Sequence, residues 1–120
     1  MTISYFTELK VWQKSMDLVV EVYGIAKALP KEEQYALADQ LRRAAVSIPS
    51  NIAEGYGRST TKEYVHFLNI ARGSKNEVET QLLLCAKLGY LNETAVEPAL
   101  SICTEVGKML TAMLKKLPMR

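Results

Sequence analysis

Four times along 120 residues, mostly apolar side chains recur at steps of three and four. That spacing places each set on one side of a helix, and no segment shows the strict alternation of a strand. The first set is Trp12, Met16, Val19, Tyr23 and Ala26, within a helix expected from about Thr7 to Leu29. Thr7 suits the N-cap, with Phe6 packing on the first turn. Pro30 disfavours helix at Leu29, and Glu32 and Glu33 suit the positive start of the next helix dipole. The second set is Leu37, Leu41, Ala44, Ala45, Ile48 and Ile52. Pro49 falls inside it and removes the donor that would bond Ala45. The stripe keeps its phase on both sides, so one kinked helix is expected, closed by Gly55 and Gly57 in the left-handed conformation.

Thr60 and Glu63 then form a T-x-x-E capping box. The third stripe follows as Tyr64, Phe67, Ala71, Ser74, Val78, Leu82 and Cys85, with Gly89 as its C-terminal cap. The fourth begins near Asn92 or Thr94 and carries Val96, Ala99, Cys103, Val106, Leu110, Leu114 and Leu117. Pro98 is tolerated because it lies near that start. Four amphipathic helices on short connections predict an all-α fold, an antiparallel up-and-down four-helix bundle forming a single domain over 1–120. A chain this long buries roughly two-thirds of its unfolded surface, so it needs no metal or disulfide staple. Cys85 and Cys103, both on apolar stripes, read as buried reduced thiols. No apolar run approaches the ~18 residues of a membrane span, and the N-terminus lacks signal-peptide features. A cytoplasmic protein without a membrane partner is expected.

There is more apolar surface than four core stripes require. Val11, Leu18, Val22, Ile25 and Leu29 make a second stripe beside the Trp12 set. Val65, Leu83 and Leu84 on the third helix, with Val46 and Ala53 on the second, also point away from the assigned core faces. A contiguous apolar stripe outside a core marks an interface. The expectation is a homo-oligomer, with Val11, Leu18, Val22 and Ile25 at the contact.

Catalytic chemistry finds little purchase. The loop EGYGRSTTK has neither the spacing of a P-loop nor that of a dinucleotide-binding turn, and no strand precedes it. Arg58, Lys62 and the free donors at the start of the third helix make an anion-friendly corner at most. Glu63 and His66 match the Glu-x-x-His spacing of di-iron bundles, but the chain has one histidine and cannot supply the second motif. No serine or cysteine is spaced to pair with His66 as a nucleophile. Glu54, Glu77 and Glu79 are placed to neutralise Arg43, Arg72 or Lys75 across helices. The expectation is a non-enzyme with no metal and no cofactor. The charge of +2 is modest for a nucleic-acid module. An oligomer would multiply the patches made by Arg42 and Arg43, Arg58 and Lys62, and Arg72 and Lys75 into one phosphate-binding surface. Lys115, Lys116 and Arg120 add a basic C-terminus.

The stretches LRRAAVSIPSNIAEGYGR and YVHFLNIARGSKNEVETQLLLCAKLGYL resemble the four-helix-bundle family encoded in 23S ribosomal-RNA intervening sequences. Leu41, Arg42, Arg43, Ala44, Ser47, Pro49, Asn51, Ala53, Glu54, Gly55 and Arg58 match its second-helix pattern. Phe67, Leu68, Ala71, Gly73, Ser74 and Glu79 match its third. The resemblance implies a ring-like homopentamer. It also implies likeness to the accessory variability protein of diversity-generating retroelements, a basic pentamer that associates with nucleic acid. It supplies no catalytic residues. Ser47, Asn51, Glu54 and Arg43 gain a further reading from it, as a polar cluster tying the second helix to a neighbour, since unpaired buried groups cost ~1–3 kcal/mol each. Two function classes remain: a scaffold that contacts RNA or DNA phosphates without reading sequence, and a scaffold for a protein partner with no nucleic-acid role.

Overall fold

Each predicted stripe lies on its own helix. The computed structural model describes residues 5–118. The helices are α1 (Lys10–Ala28), α2 (Leu37–Tyr56), α3 (Thr61–Lys87) and α4 (Glu93–Lys116), with 3₁₀ turns at Phe6–Glu8 and Lys31–Glu33. No strand occurs among the described residues. Thr60 caps α3 by accepting from the Glu63 amide at 3.1 Å, and its hydroxyl donates to the Glu63 carboxylate at 3.1 Å. Asn92 caps α4 by accepting from the Ala95 amide at 2.9 Å. Gly89, at φ 81, turns the chain out of α3, where a side chain would meet its own backbone. α2 runs unbroken through Pro49, as its continuous stripe required.

Neighbouring helices run in opposite directions, because contact partners rise in number on one helix as they fall on the other. Ser47 meets Ser74 and Gly55 meets Phe67 across α2 and α3. Lys14 pairs with Glu105, while Gly24 lines a groove with Ala95, across α1 and α4. Trp12 lies by Ala53 and Tyr23 by Arg42 across α1 and α2. Each helix packs closely on two neighbours, and the diagonal pairs do not bring their backbones together. The molecule measures 44 × 25 × 24 Å, its length matching the ~40 Å expected of the 27-residue α3.

The core is built on Leu18, Leu41, Ile48, Ile52, Leu68, Leu82 and Leu110, all fully buried. Leu18 is there with Val11, Val22 and Ile25, so the four residues expected at an oligomer interface are interior residues of the single chain. α1 is rotated from the expected phase: Met16 and Tyr23 are exposed at 40% and 47%, and Trp12 and Val19 are only partly covered. The physical reason is Ser15, which sits in the buried stripe and interrupts its apolar pattern. Its hydroxyl donates to the Trp12 carbonyl at 2.8 Å, so burial leaves nothing unpaired. Val65 is likewise buried, whereas Leu83 and Leu84 are exposed as expected.

Three local assignments also differ. Thr7 lies within the first 3₁₀ turn, and Leu9 occupies the N-cap of α1. Phe6 does pack on that first turn, edge-on to Trp12 at 5.5 Å. Gly55 lies inside α2, and Gly57 closes it with φ −82, so neither is left-handed. What Gly55 provides is room, since a Cβ there would stand 2.8 Å from the Phe67 Cβ.

Candidate nucleic-acid interface

The expected polar cluster on α2 divides into an interior and an exterior half. Ser47 and Ser74 share a hydrogen bond of 2.8 Å across the α2–α3 interface. The Asn51 amide donates to the Ser47 hydroxyl at 2.9 Å and to its carbonyl at 2.8 Å. Glu54 and Arg43 turn outward instead. Ion pairs expected across helices form within them, four residues apart: Arg43 with Asp39, Arg58 with Glu54, and Lys75 with Glu79. The Arg43–Asp39 and Arg58–Glu54 pairs are open to solvent, where such pairs add little to stability.

The six cations predicted to contact nucleic acid fall into three separate places. Arg42 donates to the Gln34 carbonyl at 3.0 Å, and Gln34 donates to the carbonyls of Ala26 and Leu29. Its guanidinium therefore fastens the α1–α2 turn, while Arg43 beside it faces solvent. At the α2–α3 corner, Arg58 lies 4.9 Å over the Phe67 ring and 3.0 Å from Glu54. Lys62 is exposed on the same corner. His66, exposed nearby, stacks edge-on to Phe67 at 5.2 Å.

Arg72 and Lys75 belong to a better-formed feature. They line an open groove of about 650 Å³ between α3 and α4 together with Lys108 and Lys115. Four cations stand there against one carboxylate, Glu79, a local excess of +3 in a chain whose total is +2. Asn76, Thr104 and Thr111 add neutral hydrogen-bonding groups. Lys75 lies across α4 where Gly107 leaves space: a Cβ on Gly107 would be 3.0 Å from its Cε. Lys108 and Lys115 make no ion pair among the described residues. The sequence carried a signal for this half of the groove, since Thr104, Lys108, Thr111 and Lys115 recur at steps of four, three and four. That polar stripe faces Arg72, Asn76 and Glu79 once α4 packs on α3.

Charge is unevenly shared between the two ends. Where α2 passes into α3 and α4 finishes, Lys10, Arg58, Lys62, Lys115 and Lys116 stand with Glu8, Glu54 and Glu63, and at the opposite, mildly acidic end Glu32, Glu33, Glu93 and Glu97 stand with Lys27, Lys31 and Lys87. Arg120 is outside the described residues. At the acidic end the Tyr90 hydroxyl donates to Glu33 at 2.7 Å, and Glu33 also accepts from the Leu37 amide that begins α2. The hydrogen bond to Glu33 raises the Tyr90 pKa. Both cysteines are buried free thiols. Burial, with Glu79 adding to it, pushes Cys103 up to about 12. Among the described residues no three histidine, cysteine, aspartate or glutamate side chains gather to hold a metal, and no helix is long and apolar enough to cross a membrane.

No protein of curated function matches the chain. Among solved structures, it is similar to a protein with unknown function from the S23 ribosomal protein family of Bacteroides thetaiotaomicron VPI-5482. The two share 27% identity with a TM-score of 0.82, over 88% of this chain and 99% of that one. The sequence profile for the 23S rRNA-intervening sequence protein matches residues 7–112. With four helices in this order and a match over most of its length, the chain belongs to the 23S rRNA-intervening sequence protein family.

Proposed function

We propose that this protein is a non-enzymatic homo-oligomeric scaffold that binds RNA or DNA through backbone phosphates without reading sequence. The observation that carries this reading is the α3–α4 groove, where Arg72, Lys75, Lys108 and Lys115 converge. Phosphate contacts from lysine, arginine, threonine and asparagine position a protein on nucleic acid but carry no base information. Self-association is supported by the face that α1 and α2 leave open. There Met16, Tyr23 and Val46 are exposed, and Trp12, Val19, Pro49 and Ala53 line an apolar groove. A pentamer, as the family resemblance implies, would repeat the basic groove five times.

The test is an affinity titration against a structured RNA over a range of salt. Phosphate binding releases counterions, so affinity falls steeply as salt rises. Reversing charge at Arg72 and Lys108 together flattens that dependence while the oligomer, read by light scattering, persists. Absence of any RNA or DNA binding at low salt favours the protein-partner scaffold instead. Exposed Leu83, Leu84 and Leu88 on the outer side of α3 offer the surface for that second reading.

A further inference from the structure

The groove between α3 and α4 is lined without a single aromatic side chain. That absence matters because single strands are held on aromatic platforms, where each stacked base contributes ~1–3 kcal/mol. A groove of cations, threonines and an asparagine has no such platform. It can engage phosphates and sugar hydroxyls only, the groups that a double helix turns outward while its bases stay stacked inside. The rings of Tyr56, Tyr64 and Phe67 lie elsewhere, at the α2–α3 corner, where Tyr56 packs on Tyr64 and Arg58 covers Phe67.

The dimensions agree with a backbone contact. From Thr104 to Lys115 the α4 wall is ~16 Å long at ~1.5 Å per residue. Measured along a duplex axis, that length covers about five phosphates of one strand at ~3.4 Å of axial rise each. Lys75 is committed to Glu79 at 3.1 Å and is 13% exposed, so it shapes the floor more than it reaches outward. Arg72 gives one donor to Asn69 at 2.9 Å and keeps the rest of its five. Arg72, Lys108 and Lys115 are thus the three cations available to phosphates, and Gly107 keeps the floor between them low.

We infer that this groove takes the sugar–phosphate backbone of a double-helical nucleic acid in preference to a single strand. The inference rests on the nucleic-acid reading above and specifies its ligand. Three phosphate contacts set a salt slope of about −2.7 per engaged groove, an affinity loss of about 40-fold for a fourfold rise in salt.

The experiment compares a labelled RNA duplex of about 20 base pairs with one of its strands, chosen to be unstructured, as fluorescence anisotropy is followed from about 50 to about 200 mM salt. The full chain is used throughout. The duplex is expected to bind at least about tenfold more tightly than the strand. The double variant Arg72→Gln with Lys108→Gln is expected to lower the duplex slope by about 1.8 while circular dichroism stays unchanged. Equal or tighter binding of the strand overturns the inference, as does an unchanged slope in the folded double variant; both leave nucleic-acid binding itself standing. If neither probe binds at the lowest salt, the inference and the function it rests on fall together.

Discussion

Gly55 sits where α2 lies hard against the start of α3, with Phe67 Cβ, the Tyr64 ring and the Tyr64 carbonyl all within 3.3 Å of a would-be Cβ. Backbone and ring atoms cannot step aside cheaply, so Gly55→Ala is expected to destabilise the fold by ~1–3 kcal/mol. Gly73, in the exposed middle of α3, has nothing within 4 Å. Gly73→Ala should therefore stabilise by ~0.4–1 kcal/mol through the unfolded chain. Opposite shifts in urea midpoint at constant slope would establish both. Cys103 gives a pH signature. Its thiol is held up to about 12, against 9.0 for the ordinary group. Below 9.0 both states keep the proton and the native advantage is complete; above it only the unfolded chain ionises, and stability declines toward 12. Cys85, Tyr64 and Tyr90 are raised as well and act in the same direction. Cys103→Ala should make the alkaline decline shallower without removing it, as thermal melts from neutral to high pH would report.

At the scale of the helix, both ends of α3 and the start of α4 were legible, while the start of α1 and the close of α2 were not. Thr60, Asn92 and Gly89 announce their roles by chemistry that acts within four residues, and all three caps form as expected. Thr60→Ala removes an acceptor from the Glu63 amide and the partner of the Glu63 carboxylate, and should cost about 1 kcal/mol in a denaturant melt. The faces of α2 and α4 were legible because charge opposes the apolar stripe. α1 offers two apolar stripes of similar weight, and the choice between them depends on what α2 and α4 present to it. Trp12 and Tyr23 add bulk to the wrong stripe, and Ser15 weakens the right one. The candidate site was half legible for a related reason. Arg72 and Lys75 stand close together in the sequence, but their convergence with Lys108 and Lys115 depends on the α3–α4 register, which no local pattern encodes.

For the whole molecule, the corrected phase of α1 changes which substitution tests assembly. Leu18→Glu would bury a charge among core side chains and unfold the chain. Met16→Glu, at a position 40% exposed in the groove between α1 and α2, should instead dissociate the proposed oligomer while helicity persists. Analytical ultracentrifugation alongside circular dichroism separates the two outcomes; an undisturbed assembly would remove this face from the contact. The surplus of cations where α4 finishes, against a slight acidic surplus at the other end, has its own physical consequence. Backbone dipoles of antiparallel neighbours oppose one another, so the side chains set the long-range field, and their imbalance gives the 44 Å molecule a modest dipole along its axis. A dipole near a polyanion feels a torque before it feels a contact. The molecule would turn its basic end forward during approach, shortening the orientational search that slows ordinary docking. That alignment fades once the screening length, ~8 Å at physiological ionic strength, is much shorter than the separation of the charged ends.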